Sequence, residues 1–125
     1  MAVKILLDTN FLLDMIRFKI NFEDFYPDEK IEFFVSSSTI NELKSISNKK
    51  TKEGRLALVA LKMIENDGIK VVDSMKDRVD EDLIELAKNK NFIVATNDKD
   101  LRKKLKINNI KTICLKYKKR IEVVE

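Results

Sequence analysis

Apolar positions recur along this chain in two alternating rhythms. Val3 to Leu7 is a short, partly β-branched run broken only by Lys4. It meets Asp8-Thr9-Asn10, side chains suited to capping a helix, after which Phe11, Leu12, Met15 and Ile16 recur at helical spacing. The pattern predicts a buried strand running directly into a helix. Ile31 to Val35 predicts a second strand, ending at the hydroxyls Ser36 to Thr39, which cap a helix carrying Ile40, Leu43 and Ile46. Beyond a polar connector over 48–52, Leu56 to Ile64 is too long and too rich in Ala, Leu and Met for a strand, and Asn66-Asp67-Gly68 closes it as a helix C-terminus. Ile69 to Val72 predicts a third strand, Asp80 to Lys88 a helix through Leu83, Ile84 and Ala87, and Phe92 to Ala95 a fourth strand. A short helix through Leu101 and Leu105 leads to a fifth strand, Thr112 to Leu115, and Arg120 to Val124 reads as an extra edge strand.

Strands alternating with helices in this way imply an α/β fold, with a mostly parallel central sheet of about five strands covered by helices on both faces. A length of 125 residues with 44% hydrophobic content supports one core, so residues 1–125 are read as one domain. Asp8 and Asp14 interrupt the apolar N-terminal stretch, no small-residue cleavage site follows, and no apolar run reaches membrane-spanning length. The expectation is a cytoplasmic protein with no membrane partner. Cys114, alone between Ile113 and Leu115, is expected as a small buried hydrophobe.

Absences narrow the chemistry. Histidine is missing, which removes Ser-His and Cys-His hydrolases and the histidine route to RNA cleavage. The two glycines, Gly54 and Gly68, cannot form a dinucleotide fingerprint or a phosphate-binding loop. Lys plus Arg number 25 against 21 Asp plus Glu, a net +4 that suits a polyanionic partner without specifying one.

Carboxylates remain. Asp8 and Asp98 each follow a predicted strand, and ligands of parallel sheets bind beyond the carboxyl ends of the strands, so both belong on one edge; each would equally serve to cap the helix after it. Asp80 stands i to i+3, i+4 and i+7 from Leu83, Ile84 and Ala87, on the apolar stripe, where an ionised carboxylate needs a partner. Asp82 falls on the opposite face and is read as solvated. Glu42 borders the stripe of Ile40, Leu43 and Ile46. Four such acids gathered without histidine or cysteine would repel one another. A hard divalent cation relieves that repulsion, an all-oxygen site favours Mg²⁺ or Mn²⁺ over Zn²⁺, and such an ion activates water against a phosphodiester.

The segments LLDTNFLL (6–13), INELKSI (40–46), Asp80 through LIELA (83–87) and IVATNDKDL (93–101) together resemble the PIN-domain nucleases, over nearly the whole chain. The resemblance implies a Rossmann-like PIN domain that cleaves single-stranded RNA endonucleolytically with Mg²⁺ or Mn²⁺. It assigns Asp8, Glu42, Asp80 and Asp98 to the metal and to catalysis, Asp100 to a frequent fifth acidic position, and Asn10 and Thr96 to supporting hydrogen bonds. Two branches fit the pattern, VapC-type toxins, which imply an antitoxin partner, and ribosomal-RNA-processing nucleases. A homodimer is expected from the resemblance and from the apolar helix Leu56 to Ile64. Candidate RNA contacts are Lys99, Arg102 and Lys103 after the last acidic motif, with Lys104 and Lys106 beyond, and Lys118 and Arg120 near the end, where Tyr117 is available for stacking. A non-catalytic RNA-binding or scaffold domain of the same fold is the alternative, opposed by the intact acidic set. A phosphatase-like protein using Asp8 as nucleophile would want a second Asp where Asn10 stands.

Overall fold

β1 (Val3–Leu7) lies at the middle of the molecule because every one of its neighbours is supplied later in the chain. In the computed structural model, which describes residues 3–21, 30–74, 79–116 and 120–124, it is followed by α1 (Thr9–Arg17), β2 (Ile31–Ser36), α2 (Ser37–Ser47), α3 (Lys52–Asn66), β3 (Lys70–Val72), α4 (Val79–Lys90), β4 (Ile93–Ala95), α5 (Lys99–Ile107), β5 (Thr112–Lys116) and β6 (Arg120–Val124). The sheet runs β3-β2-β1-β4-β5-β6. β1 to β5 are parallel, with Ile5 of β1 opposite Phe33 on one side and Ile93 on the other, and β6 closes the edge antiparallel to β5. The chain thus builds outward from β1 in one direction and then, from β4, in the other. Such a reversal opens a crevice beyond the carboxyl ends of β1 and β4.

Successive strand side chains point to opposite faces. Ile5 and Leu7 accordingly join a core with Phe11, Leu12, Leu43, Ala57 and Ala60, under α1, α2 and α3. Leu6 joins a second core with Val94, Leu83, Leu86, Leu101 and Leu105, under α4 and α5. A continuous apolar run in β1 is what a strand covered on both faces requires.

Among the boundaries that differ from the periodicity reading, two have a clear local cause. α3 starts at Lys52, because Thr51 accepts from the Gly54 N–H at 3.1 Å and caps the helix earlier than its apolar stripe begins. The Gly54 position is buried against the preceding turn, where a Cβ would overlap the Lys49 carbonyl oxygen. β3 is shorter than expected: Ile69 is buried but lies outside the ladder, after Gly68 at φ +74°. Among the described residues no helix is long and apolar enough to cross a membrane.

Candidate active site

Asp8 is the first residue beyond β1. Its backbone N–H donates to the Ala95 carbonyl at 2.9 Å, which ties it to the end of β4. Its side chain caps α1, Oδ1 accepting from the Thr9 N–H at 2.8 Å, while Oδ2 accepts from the Thr96 hydroxyl at 2.8 Å. Thr96 is fully buried, accepts in turn from the Asp98 N–H at 3.2 Å, and donates its own N–H to the Ile113 carbonyl at 2.9 Å. The ends of β1 and β4 are therefore stitched to the beginning of β5 through one threonine.

Asp8 is only 6% exposed. Burial pushes its carboxyl from an ordinary 3.8 up to about 6; the bonds from Thr96 and Thr9 pull it down, and the charges of Asp80 and Glu42 push it further up. α4 brings Asp80 in its first turn and α2 brings Glu42, both half-buried. Acids from two other elements thus act on Asp8 at the crevice. Asp98 stands at the same edge but is exposed, and its Oδ1 accepts from the Asp100 and Leu101 N–H groups at 2.9 and 3.2 Å, capping α5. Asp100, in the first turn of α5, and Asn10, in that of α1, are both exposed.

Asp82 requires a correction. It is 2% exposed, not solvated, and accepts from the Ser38 hydroxyl at 2.6 Å. Ser38 Oγ lies 2.8 Å from Ser36 Oγ, which accepts from the Thr39 N–H at 3.1 Å to cap α2. Asp82 stands i to i+4 from the buried Leu86, on the covered side of α4, whose exposed face is Glu81, Glu85 and Lys88; the hydroxyl-rich start of α2 meets it there, and the hydrogen bond makes the burial tolerable. Asp82 therefore links the two helices that carry Asp80 and Glu42. No spacing rule exposes a pairing 44 residues apart.

Two further residues at this edge escaped the sequence reading. Asn97 donates to Asp14 Oδ2 at 3.0 Å and accepts from the Leu115 N–H at 2.8 Å, while Arg17 pairs with both Asp14 and Glu53. Asp14, Arg17 and Asn97 line a cavity of about 420 Å³ together with Phe18 and Leu115. Of the candidate RNA contacts, Lys99 and Lys103 are exposed, but Arg102 turns inward, its Nη1 3.4 Å from Cys114 Sγ. Tyr117 and Lys118 lie outside the described residues, as does the side chain of Arg120.

Among the described residues, no group of three or more acids stands close enough to hold a metal ion together. The chemistry of the donor set nevertheless fits a hard divalent cation: oxygen ligands only, a desolvated Asp8 whose neighbours raise its proton affinity, and a fully buried Thr9 hydroxyl beside it with no hydrogen-bond partner.

Comparison with known proteins agrees with this architecture. A family model described as a PIN-like domain matches residues 5–118. Ribonuclease VapC4 of Methanocaldococcus jannaschii is 38% identical over 129 residues, spanning 96% of this chain and 95% of that protein. The PIN-domain endonuclease Utp24 superposes with a TM-score of 0.80 at 24% identity, over 96% of this chain and 90% of that one. A domain of a functionally unknown protein from Methanocaldococcus jannaschii superposes with a TM-score of 0.66 at 20% identity, over 99% of both chains.

Proposed function

The chain belongs to the PIN-like domain family, and from that premise we propose that it is a metal-dependent endoribonuclease acting on single-stranded RNA. The carrying observation is Asp8, buried at the crevice with its carboxyl raised to about 6 and with Asp80 and Glu42 close enough to act on it. A scaffold domain that bound RNA by basic surface alone would have no use for a buried carboxylate with two further acids acting on it. The ribonuclease name of the 38%-identical relative supports the same reading.

Asp8, Glu42 and Asp80 would hold Mg²⁺ or Mn²⁺, with Asp98 and Asp100 at the rim of the same edge. When bound, the ion supplies Lewis acidity at the phosphodiester and lowers the pKa of water. Thr96 and the Thr9 N–H each hold one oxygen of Asp8, so that carboxylate is oriented before any ligand arrives. Asp82, through Ser38, holds the helices of Asp80 and Glu42 in register. With no histidine to deprotonate a 2′-hydroxyl, water is the nucleophile, and the products carry 5′-phosphate and 3′-hydroxyl ends. Labelled single-stranded RNA should be cut only with Mg²⁺ or Mn²⁺, and Asp80→Asn should stop the cleavage. Cyclic-phosphate ends, or cutting that survives chelation, would overturn the mechanism.

The VapC name of the relative favours a toxin role with an antitoxin partner over ribosomal-RNA processing. A small neighbouring reading frame whose product suppresses the activity would support it. We also propose a homodimer through α3, where Leu58 and Val59 are 49% and 43% exposed. Light scattering that finds only monomer at high concentration would remove the dimer.

A further inference from the structure

α4 and α5 both start at the catalytic edge, near Asp80 and Asp98, and run back along one face of the sheet. Where they end, between the start of β1 and the start of β4, lies a cleft of about 770 Å³. Lys4, Lys88, Lys90 and Lys111 line it, all four exposed, together with Asn91 and Asn109, and no carboxylate is among its lining residues. Glu32, the acid that feels Lys4, is already hydrogen-bonded to Lys70 at 2.7 Å.

A structural account of these lysines is that they answer the negative ends of two helix dipoles. It covers Lys88 and Lys90, in the last turn of α4. It does not cover Lys4, which lies on β1 opposite Glu32, an acid whose hydrogen bond goes to Lys70. The cleft is also not isolated. Lys99, Lys103 and Lys106 recur at i, i+4 and i+7 on the exposed side of α5, a single stripe along a helix about 14 Å long that connects the catalytic edge to the cleft.

We propose that this cleft is a second anchoring site for the phosphate backbone of single-stranded RNA, reached from the catalytic edge along α5. The inference rests on the endoribonuclease reading and extends it from the cutting site to the hold on the substrate. Lysine ammonium groups bind phosphate as point charges and carry no base readout, and Phe92 at the cleft floor is buried, leaving no aromatic platform for stacking. The hold is therefore indifferent to base sequence, steep in salt, and available only to RNA long enough to span α5.

The test is a triple neutralisation, Lys4→Gln, Lys88→Gln and Lys90→Gln, with unchanged circular dichroism and melting temperature as the check on folding. Kinetics are measured with RNAs of about 3 and about 20 nucleotides, the shorter too short to reach from the catalytic edge along α5 to the cleft. The variant should raise KM for the long RNA about tenfold with kcat unchanged, leave the short RNA unaffected, and lower the salt slope of long-RNA binding by about 2. An unchanged KM and salt slope for the long RNA would overturn the proposal. Equal losses for both lengths would also overturn it, since they would mark a general field rather than an anchor. Loss of an acidic protein partner with RNA binding intact would assign the cleft to that partner instead. Fluorescence anisotropy of the long RNA on the wild-type chain and on the variant is read separately from cleavage. A wild type that binds but cuts nothing sinks the endoribonuclease reading, while the cleft still stands or falls on the anisotropy.

Discussion

Asp8 sets the residue scale. Its folded carboxyl titrates near 6 against an ordinary 3.8, so between those values the native chain keeps a proton that the unfolded chain has released. By linkage, the metal-free protein loses stability as pH rises from about 4 to about 6, and above 6 it carries the full cost of a buried charge, up to about 3 kcal/mol for a shift of this size. Asp8→Asn keeps an acceptor for the Thr9 N–H. It should raise metal-free stability at pH 7 by about 1 to 3 kcal/mol and flatten the slope between pH 4 and 6, read by urea denaturation of variant and wild type in parallel. A variant less stable than wild type at pH 7 would mean that the charged form is well accommodated. Protons and the cation compete for the same carboxylate, so stabilisation by Mn²⁺ should fade as pH falls through 6.

Between elements the decisive contacts are few. Asp82 and Ser38 join α4 to α2, so Asp82→Ala, which leaves the Ser38 hydroxyl without its acceptor, should cost about 1 to 3 kcal/mol and weaken metal binding by calorimetry. Asp82→Asn retains a carbonyl acceptor and should preserve both binding and cleavage, unlike Asp80→Asn. An inactive Asp82→Asn with an active Asp80→Asn would exchange the roles of the two aspartates. The close approach of α3 to the preceding turn gives a second case. Gly54→Ala would gain about 1 kcal/mol of helix propensity but drive a methyl into the Lys49 carbonyl oxygen. Overpacking of this kind costs typically about 1 to 3 kcal/mol, so the net change should be a lower urea midpoint.

For the whole molecule, the sheet order places both ends of β1 and β4 to use: acids at the carboxyl end, lysines at the other. If the acids form one cation site, Mg²⁺ or Mn²⁺ at millimolar concentration should raise the melting temperature, because a ligand bound only to the native state adds stability by mass action. The same titration on Asp8→Asn should show a much smaller rise. Calorimetry that detects no binding to wild type would remove the metal site, and with it the proposed mechanism.

Much of this was legible in the order of residues. Strand-forming and helix-forming periods are local, set by backbone geometry over a few residues, so the alternating elements, the two-sided burial of Ile5 to Leu7 and the edge strand from Arg120 could all be read directly. Asp8 and Asp98 could be assigned to one edge for the same reason, since each follows a strand and parallel strands end together. What a side chain faces across the fold has no such local rule. That Asp82 meets Ser38, that Arg102 turns toward Cys114, and that Lys4 shares a cleft with Lys88, Lys90 and Lys111 were decided only when β1 was inserted between β2 and β4. Packing chose those partners from residues distant in the chain, because each helix had to bury one face on the sheet and accept whatever neighbour then covered the other.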